Sequence, residues 1–481
     1  MLRLFTKDEF MKLWLPSLTA VSLFITGIVL EKTLLLVIPF VVFAGIFFSS
    51  DIRKLYFALL FFIPLSTEFS VTDTLSTDLP DEPMMLILSG SLVVLMLLKK
   101  SVFPFQINKS SLFLLVMLQL MWMITTVFFS YEIVLSIKYF LAKTWFLVAF
   151  VFGGLVFLKT KEDFKLASQM LVFSMLIPVA ISLIRHVSHG FSFESINETL
   201  TPFFRNHVNY SALLVCLVPV LFMWRFFSTG KSKKWITACI FLFMIALFFA
   251  YSRGAWLCLI TGSVTWIAIK RKFLLSLILT GTIIAAAGLF WLIQNENYLK
   301  FAPDFNTTTQ HTNIGEHLEA TYTLKDMSTM ERFYRWIAGL KMVNEEPVKG
   351  YGPNTFSLHY KEYTVAAFKT WVSSNEEKSS VHNYFLLVTI EQGVPGLVLL
   401  YVLLFTMFAV AVKGFHTLKD SFYRAVSMLC GVILSMVVTL NLLSDLIETD
   451  KIGSIFFIVL GVLIYLQVQM KEEKEPAGKL Q

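Results

Sequence analysis

Residues 380–400, SVHNYFLLVTIEQGVPGLVLL, decide how this chain is read: a long polar stretch ends there, an apolar run begins, and a histidine stands at the junction. The run continues past residue 400, and about 20 such residues are enough to cross the hydrocarbon core of a bilayer. An imidazole at that junction sits where water meets lipid, and it can take a proton from a hydroxyl. The junction points to chemistry at a membrane surface.

Working outward, the same apolar pattern fills most of the 481 residues. Hydrophobic types make up 56% and charged types 15%, against roughly 25% charged in soluble globular domains, which excludes an ordinary soluble protein. The 48 Phe, 10 Trp and 15 Tyr suit lipid-facing surfaces and interfacial anchors and give no ground for a cofactor pocket. Apolar runs lie near residues 13–30, 34–50, 84–98, 111–130, 139–158, 167–185, 207–228, 235–251, 254–269, 273–293, 383–412, 424–443 and 452–469. A shorter run at 54–66 brings the total to fourteen, and without the weaker early runs it is twelve or thirteen. The expected fold is an all-α polytopic membrane protein of 12–14 transmembrane helices with one large, partly helical periplasmic loop. Residues 1–293 hold about eleven helices, 294–381 the loop, 382–470 three helices and 471–481 a cytoplasmic tail.

Charge orients these spans. Arg53/Lys54, Lys99/Lys100/Lys109, Lys159/Lys161/Lys165, Lys231/Lys233/Lys234, Lys270/Arg271/Lys272, Lys413/Lys419 and Lys471/Lys474 fall on one side, opposite isolated cations such as Lys32, Lys138 and Lys451. The positive-inside rule makes that side cytoplasmic, with both termini on it. Topology accounts for the net charge of +7, so nucleic acid is not implied. The start, MLRLFTKDEFMKLWLP, lacks a small-residue cleavage site behind a short apolar core, so the first span is expected to stay as an anchor. Cys216, Cys239, Cys258 and Cys430 lie inside apolar runs without CxxC spacing and read as small packed hydrophobes.

Within the loop, STMERFYRWIAGLKMVN at residues 328–344 carries Phe333, Trp336, Ile337, Leu340 and Val343 at helical spacing. It predicts an amphipathic helix lying on the outer face of the membrane. Arg332 and Arg335 share a face of that helix, either as a solvated pair or as ligands for an anion. GYGPNTF, residues 350–356, reads as a tight turn, because it lacks the Lys-Ser/Thr ending and the spacing of a phosphate loop.

Other polar residues cluster at the outer ends of spans. Arg253, in AYSRGAWLCL, either snorkels from a hairpin turn or holds a phosphate with its planar fork. Arg205 precedes Asn206, His207, Asn209 and Tyr210, which either cap a helix or face the same cavity as Arg253; two arginines at one depth suit a diphosphate. His382 and Asn383 open the helix of residues 380–400, where the positive helix end favours a neutral ring able to accept a proton. Asp81 and Glu82 in LPDEP, with Asp445, Glu448 and Asp450, read as solvated loop carboxylates. Neither they nor His186, His189, His311, His317, His359 and His416 show a metal-holding pattern, so no metal is expected.

These motifs resemble those of the bacterial O-antigen ligase and polymerase superfamily, which includes exopolysaccharide polymerases and protein O-oligosaccharyltransferases. His382, Asn383, nine residues and then Gly393 and Gly396 match the ligase pattern, with Leu397 where ligases carry threonine; Arg253 and Leu257 match a second pattern, and ERFYRWIAGLKMVNEEPVKGYGPNTF is similar to the family's loop. The resemblance covers roughly residues 200–400. It implies a cofactor-free, metal-independent inverting glycosyltransferase of the bacterial inner membrane, acting in lipopolysaccharide biosynthesis. Such an enzyme moves a glycan from undecaprenyl diphosphate to a hydroxyl of lipid A core, or of a second lipid-linked glycan in a polymerase. By that resemblance His382 is the base, Arg205 and Arg253 hold the diphosphate, and Arg332, Arg335, Asn209 and Asn383 are further candidates for substrate contact. A flippase or transporter for a lipid-linked sugar is the competing class, but transporters usually place their polar sites near the bilayer midplane.

Overall fold

The computed structural model describes residues 51–72, 75–98, 107–301, 327–365, 368 and 379–473. The runs expected at 13–30 and 34–50, and most of the expected tail, lie outside the described residues. A short helix, α1 (Ile52–Phe62), leads into a two-stranded antiparallel hairpin, β1 (Thr67–Thr72) and β2 (Leu75–Leu79). The strands hold the β-branched Thr67, Val71, Thr72 and Thr77, which favour extended backbone and make this the one departure from helix among the described residues.

Helices follow: α2 (Asp81–Leu98), α3 (Ser111–Phe128), α4 (Ile133–Phe157, with a π-helical segment at Leu147–Phe152), α5 (Lys161–Ser188), the short α6 (Ile196–Leu200), α7 (His207–Phe227), α8 (Gly230–Phe249), α9 (Arg253–Lys270) and α10 (Leu274–Ile293). In the large loop come α11 (Met327–Glu345) and α12 (Phe356–His359), and then α13 (Tyr384–Thr417), α14 (Ser421–Leu442) and α15 (Asp450–Glu472). Ten of these helices are long and apolar enough to cross a membrane. Helix α9 falls outside that set because Arg253 and Lys270 cap an 18-residue helix of modest apolarity.

The core lies on α14 and α15, each with 78% of its spanning window buried, while α10 buries only Leu274 and offers the rest of its apolar surface to lipid. One rim gathers the basic residues expected to share a side. Arg53 pairs with Asp163 and Lys161 with Asp420, Lys471 Nζ donates to the Lys109 carbonyl at 2.6 Å, and His416 Nε2 lies 2.8 Å from the Ile269 carbonyl. Cys216, Cys258 and Cys430 are buried.

Helix α11 forms where the periodicity predicts. It packs on the first turns of α13: a Cβ at Gly339 would meet Ile390 Cδ1 at 2.7 Å. Its buried face is rotated from the predicted one, onto Met330, Tyr334, Ile337, Ala338 and Met342. A protein surface accepts Tyr and small Ala, whereas the predicted stripe weighed only the bulkiest apolar residues.

Candidate active site

The site is organised by a break in α13. Gly393 adopts φ 70° and ψ 177°, a region open to glycine and costly for any residue with a Cβ, and Pro395 has no N–H to give. Buried backbone groups need partners, and the loop after α11 supplies them. Val394 N donates to the Pro347 carbonyl at 2.7 Å, Tyr351 N to Ile390 O at 2.9 Å and Gly352 N to Glu391 O at 3.0 Å. Trp122 Nε1 donates to the fourth interrupted position, Gln392 O, at 2.9 Å. A Cβ on Gly393 would stand 2.0 Å from the Val348 carbonyl, and one on Gly352, at φ 103°, would fall on the Ser130 side chain. GYGPNTF is therefore the strand that docks into this break. Its far end is fixed by Glu391, whose Oε1 accepts from Thr355 N at 3.1 Å and Phe356 N at 3.3 Å.

At the other end of the same helix segment, Asn383 caps α13 by accepting from Leu386 N at 2.9 Å, and its Nδ2 donates to the Leu442 carbonyl at 3.1 Å. Both ends of its amide are thus engaged in structure. Just before it, His382 takes the left-handed conformation, φ 54°. Its Nδ1 lies 3.8 Å from Asp445 Oδ1, an ion-pair distance rather than a hydrogen bond, and the His382 side chain keeps 35% of its surface open. Ser380 Oγ donates to Asp445 Oδ2 and accepts from His382 N. Burial works to raise the Asp445 carboxyl, but the neighbouring His382 and a hydrogen bond from Ser380 outweigh it and hold the group below the ordinary carboxylate range.

Asp445 and Ser380 also form part of the wall of a polar cavity of about 320 Å³, at the small end of the roughly 300–1,000 Å³ usual for ligand sites. Glu82, Glu391, Glu448 and Asp450 line it with Tyr139, Trp145 and Asn354. Its cation, Lys143, lies 2.9 Å from Glu448 Oε2, and Tyr139 donates to Glu448 Oε1 at 2.9 Å. The reading of Asp81, Glu82, Asp445, Glu448 and Asp450 as solvated loop carboxylates is thus corrected. Asp81 is 1% exposed, and the other four are half-buried in the wall of this cavity, which residues of α4 and α13 also line. Five carboxyl groups and one ammonium give the cavity many hydrogen-bonding partners for a hydroxyl-bearing ligand.

The expected arginines stand elsewhere on this rim. Arg253 is the first residue of α9 and half-buried. The next residue, Gly254, faces Leu440 on α14, 3.7 Å from a would-be Cβ, while Asn383 binds Leu442 on the same helix end. The last turn of α14 therefore lies against both Arg253 and the His382 segment. Arg205 is exposed and follows Phe204, whose ring lies 4.5 Å from Lys451 Nζ at the start of α15. Asn206 caps α7 by accepting from Asn209 N at 2.9 Å, so that polar cluster includes the helix cap. Arg332 is half-buried. Arg335 is not on a solvated face: it is 5% exposed, faces Glu331 at 3.4 Å and donates to the Ser380 carbonyl at 3.3 Å. The rotation of α11 turns it inward.

Two residues escaped the sequence reading. Asp445 lies 63 residues from His382, and only the return of α14 brings them together. Glu391 was passed over inside the motif, although a carboxylate embedded in an apolar run is itself a signal. Among the described residues no group of three or more His, Cys, Asp or Glu could hold a metal ion.

Comparison with known proteins bears on the same region. The family model described as O-antigen ligase matches residues 238–401. The chain is 28% identical over 212 residues to an O-antigen ligase of Salmonella typhimurium, covering 42% of this chain and 47% of that protein. It thus spans about half the length of the curated relative it matches. These matches bear out the resemblance to the O-antigen ligase superfamily, whose members act as lipid-linked glycan ligases or polymerases. With the ten apolar helices, they indicate a multi-pass protein of the bacterial inner membrane.

Proposed function

Taking membership in that superfamily as the premise, we propose that this protein transfers a glycan from undecaprenyl diphosphate to an acceptor hydroxyl, with His382 as general base, at the rim opposite the basic clusters. The observation that carries the reading is the pairing of His382 with Asp445 beside a polar cavity. The basic rim faces the cytoplasm by the positive-inside rule, so both termini lie there and the site faces the periplasm.

The electrostatics divide the substrates. A diphosphate belongs with Arg205, Arg253 and Arg332 outside the cavity, where planar guanidinium groups can bind it. A neutral sugar, rich in donors, suits the cavity's carboxylates and Tyr139. In the reaction the acceptor hydroxyl gives its proton to His382 as its oxygen bonds to the anomeric carbon. The bond from that carbon to the diphosphate oxygen breaks on the opposite face, which inverts the configuration. The leaving undecaprenyl diphosphate keeps the bonding pair, and guanidinium groups offset its growing charge. Asp445 stabilises the imidazolium formed in this step. The lipid-diphosphate bond supplies the energy, so no ATP or nucleotide sugar enters.

Lipid A core is the acceptor that agrees with the His382 to Gly396 pattern; Leu397, where ligases carry threonine, supports the polymerase reading, in which a second lipid-linked glycan accepts. The test uses purified protein in detergent with an undecaprenyl-diphosphate oligosaccharide and either acceptor. Transfer is expected from the wild type and should vanish in His382→Ala. No product from wild type with either acceptor, or full transfer by the variant, overturns the proposal. A transporter would give no product in detergent.

A further inference from the structure

The segment that carries His382 is held from outside the membrane body. Ahead of α13, two successive carbonyls, those of Ser380 and Val381, point to α11 rather than into any regular structure. Arg335 donates to the first at 3.3 Å and Trp336 Nε1 to the second at 3.0 Å. Arg335 is fixed in turn by Glu331, one turn earlier on the same helix, and both side chains are below a tenth exposed. Ser380 then links this pair to the histidine: its hydroxyl accepts from His382 N at 3.2 Å and donates to Asp445. The left-handed backbone of His382 is a conformation uncommon for residues that carry a Cβ. Val381 between them is fully buried.

From this chain of bonds we infer that Arg335 and Trp336 are positioning residues, which set the angle and depth at which the His382 ring meets Asp445 and the acceptor hydroxyl. The inference deepens the proposed function and rests on it for the role of His382, but the geometry it describes does not. Neither residue touches substrate; each acts through a backbone carbonyl. The charged groups facing His382 are Asp445 from the segment after α14 and, through Ser380, Arg335 with Glu331 from α11. Removing the Trp336 N–H leaves the Val381 carbonyl buried without its donor, and the segment must shift to find another. A shift of about 1 Å at a catalytic group lowers a rate by roughly 100-fold, so a partial loss of hold is expected to cost about 10-fold.

The test uses Trp336→Phe, which keeps the aromatic packing and removes only the donor, with Arg335→Lys, which keeps the charge and a single donor, and Ser380→Ala as the link. Two readouts are taken on full-length protein in detergent: the pH profile of diethyl pyrocarbonate modification of His382, read by peptide mass spectrometry, and kcat and KM for glycan transfer. Trp336→Phe and Ser380→Ala are expected to raise the His382 modification rate several-fold and move its pH profile, and to lower kcat about 10-fold with KM little changed; Arg335→Lys, which keeps the charge but loses the planar fork, should show the same changes to a smaller degree. The modification profile does not depend on transfer, so a shifted profile in a protein without transferase activity would sink the proposed function alone. Unchanged profiles and unchanged kcat in Trp336→Phe and Ser380→Ala would overturn the inference. So would variants that merely yield less folded protein while the folded fraction keeps the wild-type His382 profile.

Discussion

The two ends of the site are built differently. Around α13, the break at Gly393, the docked strand Val348–Gly352, the Glu391 cap and the His382 segment are each fixed by several hydrogen bonds from three different parts of the chain. On the arginine side, Arg205 is exposed just ahead of α7, and Arg253 is half-buried at the start of α9. A base must be held within fractions of an ångström of the proton it removes. The proposed lipid-borne diphosphate donor, in contrast, would be better met by adaptable cations. Rigidity on one side and reach on the other is what the proposed division of labour requires.

The contrast can be broken most severely at Asp445. Asp445→Asn keeps the shape but removes the charge that stabilises the imidazolium, and transfer should fall on the order of 100-fold or more, measured as kcat with folding checked by thermal melting. A loss under threefold would place Asp445 among structural residues. Next, Gly393→Ala puts a Cβ against the Val348 carbonyl in a conformation alanine avoids. It should cost about 2 kcal/mol or more, read as a lowered melting temperature together with proteolytic release of the loop after α11. An unchanged melt would show that the docked strand yields freely, and the contrast would blur.

On the adaptable side the effect should be smaller. Arg253→Lys keeps the charge and loses the planar fork, so transfer should drop roughly 10-fold, as for the loss of one charge-assisted hydrogen bond of about 1.5 kcal/mol. Full activity would mean charge alone suffices at that position. The smallest effect concerns pH. The folded-state Asp445 carboxyl is held below its ordinary value. Its stabilising contribution is therefore complete above about pH 4 and is lost as the pH falls through the depressed value. Acid melting curves of wild type and Asp445→Asn should converge as the pH drops below 4; curves that stay parallel would remove the link.

The helical, many-span fold was legible because apolar runs and basic clusters alternate along the chain, and both depend only on local composition. His382, Arg253 and the glycines were legible as a motif. What the glycines do was not, since Gly393 meets the Val348 carbonyl and Gly352 meets Glu391 only once the loop after α11 folds back onto α13, contacts that no local pattern encodes. Asp445 stayed hidden for the same reason. Arg335 was misread because the helical period predicts a face, while the partner that covers α11 decides which face is buried, and that partner is α13 rather than lipid.

The central claim is that His382 and Asp445 act as one catalytic unit, and the most direct measurement of it is a double-variant cycle on glycan transfer with His382→Ala, Asp445→Asn and the two combined. If they work as a unit, the combined variant should be no slower than His382→Ala alone. Losses that multiply, or a His382→Ala protein that still transfers glycan at the wild-type rate, would contradict the account.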